Sequence, residues 1–596
     1  MDPRRRSPGS IPALLFLGTA ALYLFRLGRA GLYDLDEAVY AEIAREMLAL
    51  HDWLTPHLDS VPYLEKPPLH DWLTALSLAA GGANAFFARL PAALAAAAAA
   101  ALTGDLGRRL WGRRAGWAAG AVLATSFGFF IFGRMAMPDM LFTALVAAAF
   151  WGYGRALLEP AAPAWCARFG GAAVGAAVMA KGLIGLVFPA LATGLFVLLM
   201  RDFGLIRRLR LVSGGVLLLL LAAPWHAAVS AAHPGFFQFY FVNEHVSRFL
   251  GHRKLVNYAT LPIPLFLALT LVWFCPWSAF LPAAFARFRP RRSDPAMLFA
   301  TLWAAAVVGF FLLSAARLEY YGLPALPALA LIVGRLWGDE IGRPAAGRSR
   351  AMAWTWVGLG LFAACLVPAA FSFPRLEHLT FYNLFPKAVP SAAIPPGALA
   401  SARVDDVPGF GVLVPLLETV VALIVAGVAG AGWAWRRGRR GASFAGLVLA
   451  LVAGLAVVGG GFALFEPYGS EVRLAAVIRE VVPAGAPLVL DGRYERHAGL
   501  GFYGGRTVTL LRGNEGVLGF GVRSGEAPPG TFASESDLDR RWRGTAPVYL
   551  VSADPDRLAR MRELNPATTV LGRTGPNWLL ANRPPPETLA PPRDRN

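Results

Sequence analysis

Carboxylates, tyrosines and a lysine are concentrated in two short stretches between hydrophobic segments, residues 33–47 and residues 63–72. An ionisable group in a bilayer is costly unless it faces water or another charge, so a cluster at the membrane edge indicates a functional site. The side chains that can do chemistry there are Asp36, Glu37, Tyr63, Glu65 and Lys66. Lysine is rare elsewhere, because the chain uses arginine for nearly all of its positive charge; the other lysines are Lys181, Lys254 and Lys387.

The composition is that of a polytopic membrane protein. Of 596 residues, 56% are hydrophobic and 16% are charged, and the mean hydropathy is +0.49. The net charge of +18 does not indicate nucleic-acid binding, because the arginines stand in short runs between apolar stretches, where positive charge sets membrane orientation. Cys166, Cys275 and Cys365 have no paired or metal-ligand spacing, so neither a disulfide framework nor a cysteine zinc site is implied.

Thirteen apolar stretches have the length that crosses the roughly 30 Å hydrocarbon core as a helix. They lie near residues 11–27, 84–103, 115–133, 139–158, 167–181, 183–200, 211–229, 258–284, 296–314, 321–337, 351–371, 411–434 and 442–465. The fifth and sixth are joined by Lys181 and Gly182, so they are two spans or one broken helix. No small-residue cleavage site follows the first stretch, which we interpret as an uncleaved anchor. An alanine-rich run, residues 92–101, predicts a surface for close helix packing.

The arginines predict the orientation of these spans. With a cytoplasmic N-terminus, every one of the six loops on the cytoplasmic side carries arginine, as the positive-inside rule requires. The opposite side then receives residues 28–83, residues 230–257 and the tail. We therefore predict an all-α polytopic membrane domain over residues 1–465, with interfacial helices on its outer side.

The tail differs in composition from the rest of the chain. Strand-like and helix-like patterns alternate from Glu471 onward, which predicts a small α/β domain over residues 466–583. Residues 584–596 are proline-rich and charged, which is typical of a disordered tail.

The residues that carry chemistry recur as a series of motifs along the chain. The motifs are Asp36-Glu37 with Tyr40, Glu65-Lys66-Pro67-Pro68-Leu69, Arg134-Met-x-Met-Pro-Asp139, Lys181-Gly182, Pro224-Trp225, Glu244-His245-x-x-Arg248 and Arg317-Leu-x-Tyr-Tyr321. In these motifs the chain resembles the ArnT-type aminoarabinose transferases, which belong to the protein mannosyltransferase superfamily of GT-C glycosyltransferases. The resemblance covers most of residues 30–330. It implies a GT-C fold of about thirteen spans with a C-terminal periplasmic domain.

The resemblance also implies roles for the candidate residues. The catalytic carboxylates would be Asp36, Glu37 and Asp139, with Asp36 as general base toward a hydroxyl acceptor, or as an orienting group toward a phosphate acceptor. The groups that bind the donor phosphate would be Lys66, Tyr63, Arg248, Arg253, Arg317 and Tyr321. No cofactor is required by the residues themselves, whereas Glu65 and His245 match positions that hold a divalent metal such as zinc in that family.

Each of these roles has a plainer structural alternative. Asp36 and Asp139 stand where a helix begins, and both residue types cap helices. Lys66 can form a surface ion pair with Glu65. The arginines can face lipid headgroups.

The predicted function is the inverting transfer of a sugar, such as 4-amino-4-deoxy-L-arabinose, from an undecaprenyl-phosphate-linked donor to lipid A or another envelope acceptor. The reaction is expected on the periplasmic face of a bacterial inner membrane, by a monomer among membrane lipids. The alternatives are a glycosyltransferase acting on protein or polysaccharide, a transporter or flippase of a lipid-linked sugar, and an assembly protein. Val39 stands where the family tends to carry arginine, which leaves open how the phosphate is held or which substrate is used.

Overall fold

The structure is a computed structural model, and it describes residues 10–34, 36–253, 260–344, 349–372, 403–405, 410–513 and 515–584. A bundle of long apolar helices is followed along the chain by a smaller domain built on a mixed β-sheet. Lys254, Lys387 and all but the first residue of the predicted tail 584–596 lie outside the described residues.

Long apolar helices make up most of the first part. Eight of the described helices are long and apolar enough to cross a membrane, and the count is nine if two helices joined by a 97° bend form one span. The eight are Ala85–Trp111, Pro138–Leu158, Leu211–Ala232, Pro295–Leu313, Glu319–Gly342, Arg350–Pro368, Gly411–Arg436 and Arg440–Pro467. The bent pair is Ile263–Trp273 with Trp277–Arg287.

The remaining predicted spans are helices too, but shorter, interrupted or less apolar ones. They are Ser10–Leu24, Arg113–Ala124 followed by Phe127–Phe132, Ala164–Lys181 and Ile184–Met200. The last two are separate helices, because Gly182 between them takes a φ of +95°. The all-α membrane architecture is therefore confirmed, while the count of thirteen spans stays a prediction.

Small residues allow these helices to pack closely. Most alanines of the run 92–101 are buried in helix Ala85–Trp111, as the sequence predicts. A Cβ on Gly116 would lie 2.7 Å from the backbone oxygen of Gly104. Helices Ala85–Trp111 and Arg113–Ala124 therefore touch through their backbones. Packing of this kind replaces the hydrophobic effect as the force between helices in lipid, and it makes a firm frame for the connecting segments.

Short elements connect the long helices. Helices Glu37–Leu50 and Leu69–Gly81 flank a hairpin of β1 (His57–Leu58) and β2 (Val61–Pro62). The stretch Gln238–Ser247 is a π-helix, a rare form that is frequent at functional sites.

Helix Glu37–Leu50 follows directly from its sequence. Ala41, Ala44 and Met47 recur at helical spacing and are buried on one face. The helix ends at His51, whose φ is +54°. Asp36 precedes the first turn but makes no capping hydrogen bond with its side chain, so the structural alternative for this residue is not realised.

The C-terminal domain contains a seven-stranded sheet in the order β3-β8-β9-β7-β4-β5-β6. The strands are β3 Arg403–Asp405, β4 Leu488–Asp491, β5 Thr509–Leu511, β6 Phe532–Ala533, β7 Tyr549–Ser552, β8 Thr569–Thr574 and β9 Asn577–Ala581. Its helices are Val472–Val481, Ala498–Gly504, Gly519–Arg523, Glu535–Arg543 and Pro555–Leu564. Neighbouring strands are parallel except where β9 pairs with β7 and β8.

The predicted small α/β domain is confirmed as an architecture. The last long helix continues to Gly469, slightly past the predicted boundary at residue 465. Strand β3 precedes the last two long helices in sequence and pairs with β8. The sheet therefore combines a strand that precedes the last two long helices in sequence with strands that follow them. The sequence does not reveal this arrangement.

Candidate active site

A cavity of about 350 Å³ lies among the segments that carry most of the sequence motifs. Its polar and charged walls are Glu65, Lys66, Lys181, Glu244, His245, Arg248, Ser314 and Tyr321. Its apolar walls include Ile184, Val187, Phe249, Leu250, Phe310 and Phe311. A pocket with cationic and hydrocarbon surfaces suits an amphiphile with an anionic head.

Lys66 stands in the short loop between β2 and helix Leu69–Gly81, next to Pro67 and Pro68, which restrict the backbone. Within the described part of the chain its ammonium has no ion pair or hydrogen bond. Burial and the neighbouring Arg248 lower the pKa of Lys66 to about 8. A cation without a partner on a cavity wall is available to an anionic ligand.

Glu244 orders the arginines of the site. Arg248 donates from Nη2 to the Tyr321 hydroxyl at 2.7 Å and from Nη1 to Glu244 at 3.3 Å. Arg253 donates to Glu65 at 3.0 Å and to Glu244 at 2.9 Å, and it does not line the cavity. Arg248 and Tyr321 therefore line the cavity, whereas Arg253 holds Glu65 and Glu244 outside it. The predicted phosphate roles of these three residues stay predictions. The surface pair of Lys66 with Glu65 is not formed, because Glu65 pairs with Arg253.

Asp139 and Lys181 form an ion pair in which both side chains are nearly buried. Asp139 lies inside the first turn of helix Pro138–Leu158 and does not cap it. The Lys181 ammonium also lies 4.8 Å from the ring centroid of Tyr321 and 5.3 Å from that of Tyr320, distances at which a cation is attracted to an aromatic face. Because Lys181 and Tyr321 line the cavity, the ion pair links the carboxylate of Asp139 to the cavity wall.

Asp36 lies within electrostatic reach of this pair. Burial raises the pKa of Asp36 to about 7, and the neighbouring carboxylates of Asp139 and Glu319 add to the rise, while Lys181 opposes it. A carboxyl that exchanges its proton near neutral pH is suited to general base catalysis. The structure therefore brings Asp36, Asp139 and Lys181 together although they are far apart in sequence.

Glu37 is held by other groups of the protein, which is a structural role, and its predicted catalytic role stays a prediction. Both carboxylate oxygens accept hydrogen bonds from Arg89, at 2.8 and 2.7 Å. The backbone N–H groups of Ala136 and Tyr33 donate to the same oxygens. Glu37 is fully buried and does not line the cavity.

Two predicted phosphate ligands are also placed elsewhere. Tyr63 is buried in an apolar cluster that joins helix Glu37–Leu50 to the C-terminal domain. Arg317 donates to the backbone oxygens of Leu261 and Ser314, so it fastens a loop. Neither residue lines the cavity.

Comparison with known proteins places this arrangement in a family context. A family model for dolichyl-phosphate-mannose-protein mannosyltransferases matches residues 65–227. An undecaprenyl phosphate-α-4-amino-4-deoxy-L-arabinose arabinosyl transferase of Pseudomonas fluorescens (strain Pf0-1) is 32% identical over 346 residues, 56% of this chain and 58% of the relative. The transferase of that name from Shewanella sediminis is 29% identical over 341 residues, 56% of this chain and 60% of the relative. The chain thus spans about three fifths of the length of the curated relatives it matches.

Solved structures extend the likeness to the whole chain. The crystal structure of ArnT from Cupriavidus metallidurans bound to undecaprenyl phosphate is matched with a TM-score of 0.80 and 25% identity, over 98% of this chain and 99% of that one. The apo structure of the same protein gives a TM-score of 0.78. The chain therefore has the GT-C fold of ArnT.

In this ArnT-like chain, the residues predicted to hold a metal do not fit one as they are arranged. His245 accepts a hydrogen bond at Nε2 from the Leu183 N–H, at 3.1 Å, while its Nδ1 lies 2.7 Å from the Tyr240 backbone oxygen. Glu65 is engaged by Arg253. Among the described residues no three His, Cys, Asp or Glu side chains converge as a metal site needs. Zinc therefore stays a prediction and has no part in the chemistry below.

Several residues that contact the candidate site residues are not among those that the sequence predicts. Arg89 is not among the predicted residues, although an arginine in the apolar first half of helix Ala85–Trp111, far from Arg108 and Arg109 in its last turn, is a signal in itself. Glu244 stands four residues before Arg248, a spacing that pairs charges on a helix. Tyr320, beside Tyr321, faces Lys181 and had no signal beyond its neighbour.

Proposed function

We propose that this protein transfers a sugar from an undecaprenyl-phosphate-linked donor to lipid A or another envelope acceptor, at the periplasmic face of a bacterial inner membrane. The observation that carries the proposal is the ammonium of Lys66, which has no partner among the described residues and lies beside Arg248 on the wall of a cavity that also has an apolar surface. The names of the relatives support 4-amino-4-deoxy-L-arabinose as the sugar. The ArnT structure with undecaprenyl phosphate supports the lipid carrier.

The donor phosphate would occupy the cationic wall of the cavity. Lys66 offers three N–H donors, and the guanidinium of Arg248 is held in place by Tyr321 and Glu244. The prenyl chain would lie along Phe310, Phe311 and the other apolar walls. These cations also stabilise the negative charge that develops on the phosphate as it leaves.

The chemistry is a displacement at the anomeric carbon. An oxygen of the acceptor attacks this carbon, the bond from the carbon to the phosphate oxygen breaks, and the phosphate departs with the electron pair. A hydroxyl acceptor gives its proton to the Asp36 carboxylate, whose pKa of about 7 suits it to accept a proton at neutral pH. A phosphate acceptor is already nucleophilic, and Asp36 would then orient it. The Asp139 and Lys181 pair lies where it can hold the sugar or the acceptor.

A second candidate is transfer of a hexose to protein. The family model that matches residues 65–227 is named for protein mannosyltransferases. The same cavity and the same base would serve that reaction, so only the acceptor and the sugar differ.

Binding of a short-chain polyprenyl phosphate to purified protein, compared with the uncharged polyprenol, tests the donor site. The wild-type protein should prefer the phosphate, and Lys66→Ala should lose about 1.5–3 kcal/mol of that preference, the worth of a hydrogen bond to a charged group. Arg207→Ala, at an exposed arginine outside the cavity, is the control and should bind as wild type. Equal binding of both lipids by the wild-type protein would overturn the proposal.

The reaction itself is tested in cells. Mass spectrometry of envelope lipids and glycans should show a sugar substituent that is present with the wild-type gene and absent with Asp36→Asn. General base catalysis contributes roughly 10²–10⁴-fold, whereas the isosteric amide should leave membrane expression and detergent melting unchanged. A normal product with Asp36→Asn would move the base elsewhere, with Asp139 the next residue to test.

A further inference from the structure

A short helix of the C-terminal domain touches both segments that supply the cations of the cavity. Helix Gly519–Arg523 contacts strand β2, which leads into the Lys66 loop. At Gly521 a Cβ would lie 2.5 Å from Val61 Cγ1 and 3.0 Å from the Pro62 backbone oxygen. The backbone of the domain is therefore seated directly on the strand that precedes Lys66.

The ring of Phe520 packs against the segment that leads to Arg248. It lies 4.7 Å from the ring of Phe239, measured between centroids. Phe239 belongs to the π-helix Gln238–Ser247, which continues to Arg248. Phe520 is 6% exposed and shares its apolar cluster with Leu64, the residue before Glu65. Among the residues of that cluster, Phe520 alone comes from the C-terminal domain.

A polar chain reinforces the same contact. Glu526 lies 2.5 Å from His233 Nδ1, and His233 Nε2 lies 2.8 Å from the Thr55 hydroxyl. His233 ends helix Leu211–Ala232, just before the π-helix. Because a carboxylate accepts, Nδ1 donates to Glu526, and these hydrogen bonds tie the C-terminal domain to the end of helix Leu211–Ala232, which precedes the π-helix.

We propose that the C-terminal domain is a positioning element for the donor site, with Phe520 setting the separation between Lys66 and Arg248 and with the Glu526–His233–Thr55 chain as its second attachment. This inference rests on the proposed function. None of these residues lines the cavity, so each acts on the donor phosphate only through the segments it touches. A buried aromatic ring in a close-packed cluster transmits displacement, because interiors have little free volume.

The test is donor affinity in purified full-length variants. Phe520→Ala should raise the Kd for a short-chain polyprenyl phosphate, and the KM for the donor, about tenfold, while kcat at saturating donor and binding of the uncharged polyprenol change little. Phe520→Leu keeps most of the volume and should restore most of the affinity. Glu526→Gln keeps the size of the side chain and should weaken donor binding in the same direction, so the test does not depend on one variant folding.

Leu538→Ala is the matched control, since Leu538 is fully buried in a cluster made only of C-terminal residues. It should lower the melting temperature yet leave the Kd for the polyprenyl phosphate within about twofold of wild type. If Leu538→Ala weakens binding as much as Phe520→Ala, or if folded Phe520→Ala and Glu526→Gln both bind as wild type, the positioning role is wrong. The proposed function fails separately, when the wild-type protein does not prefer the phosphate to the polyprenol.

Discussion

At the scale of single residues, burial brings two pKa values toward neutral pH in opposite directions. It lowers that of Lys66 to about 8 and raises that of Asp36 to about 7, because a poorly hydrated site disfavours any charged form. The donor site then needs Lys66 protonated, while the base needs Asp36 deprotonated. Both conditions hold together only in a narrow range between the two values.

This predicts a pH dependence of donor binding. The affinity of the wild-type protein for a polyprenyl phosphate should fall as pH rises through about 8, since Lys66 loses its proton while the lipid phosphate, with a second pKa of about 6, keeps its charge. Lys66→Arg should bind less tightly at neutral pH, because a planar fork does not replace a compact ammonium, but its affinity should stay level through this range. Binding isotherms at a series of pH values check this, and a level wild-type profile would contradict it.

At the scale of elements, the ion pair of Glu37 with Arg89 fastens the helix that follows Asp36. Arg89 also donates to the backbone oxygens of Leu27, Ala30 and Gly31. One guanidinium thus joins helix Ala85–Trp111 to both the loop before Asp36 and the first turn after it. Every oxygen and nitrogen in this contact is buried, so its loss leaves an unpaired charge.

Removing either Arg89 or Glu37 alone should therefore destabilise the folded protein. Arg89→Leu should destabilise the protein by about 3–5 kcal/mol, the range for breaking a buried pair on one side only, and Glu37→Gln should act in the same direction. The double variant should lose less than the sum, since it leaves no uncompensated charge. Detergent melting measures this, with Arg540→Ala, which removes an exposed pair, as a control that should melt as wild type. Strict additivity of the two changes would be evidence against the coupling.

Gly182 separates helices Ala164–Lys181 and Ile184–Met200, and this break brings Lys181 to the cavity wall. Its φ of +95° disfavours a side chain. A Cβ there would also lie 2.5 Å from His245 Nε2 and 2.8 Å from the Tyr240 hydroxyl. The turn thus needs glycine for both its conformation and its space.

Gly182→Ala should displace Lys181 and His245 together and lower kcat/KM about tenfold to a hundredfold, the effect expected of a misplaced site. Gly194→Ala is the matched control, because a Cβ at Gly194 in the following helix meets nothing within 4 Å. Steady-state kinetics on both purified variants decide the matter. Equal activity of the two would show that the turn tolerates a side chain.

At the scale of the whole molecule, the sequence predicts on which side of the membrane each end of the chain lies. Arginine in all six loops on one side predicts a cytoplasmic N-terminus and a C-terminal domain outside. A reporter fused after residue 590 should be active only outside the cytoplasm, and one inserted at Gly438 should behave as cytoplasmic. Reporters at both positions on the same side would contradict the orientation and the odd number of spans.

Features that depend on local composition can be predicted from the amino-acid sequence. Runs of apolar residues fix where helices form, whereas the break at Gly182, which the sequence leaves as two spans or one broken helix, is visible only in the structure. The motif around Lys66, Arg248 and Tyr321 named three residues that do line the cavity. In the tail, the alternating patterns from Glu471 onward do form helices and strands, and the first of them is helix Val472–Val481. The hairpin of β8 and β9 is not predicted, because strand pairing depends on partners and not on composition alone.

Which charged side chains form ion pairs within the protein, and which can still bind a ligand, depends on how distant segments pack together. Glu37 finds Arg89 at a separation of 52 residues, and Arg253 finds Glu65 at 188, so neither pairing is visible in local spacing. The contact between the rings of Phe520 and Phe239 is likewise not visible in local spacing. The physical reason is that the partner of a buried charge or ring is chosen by the packing of distant segments, where desolvation makes every unpaired group costly. Lys66 is informative because, in the part of the chain that the structure describes, this packing gives it no partner.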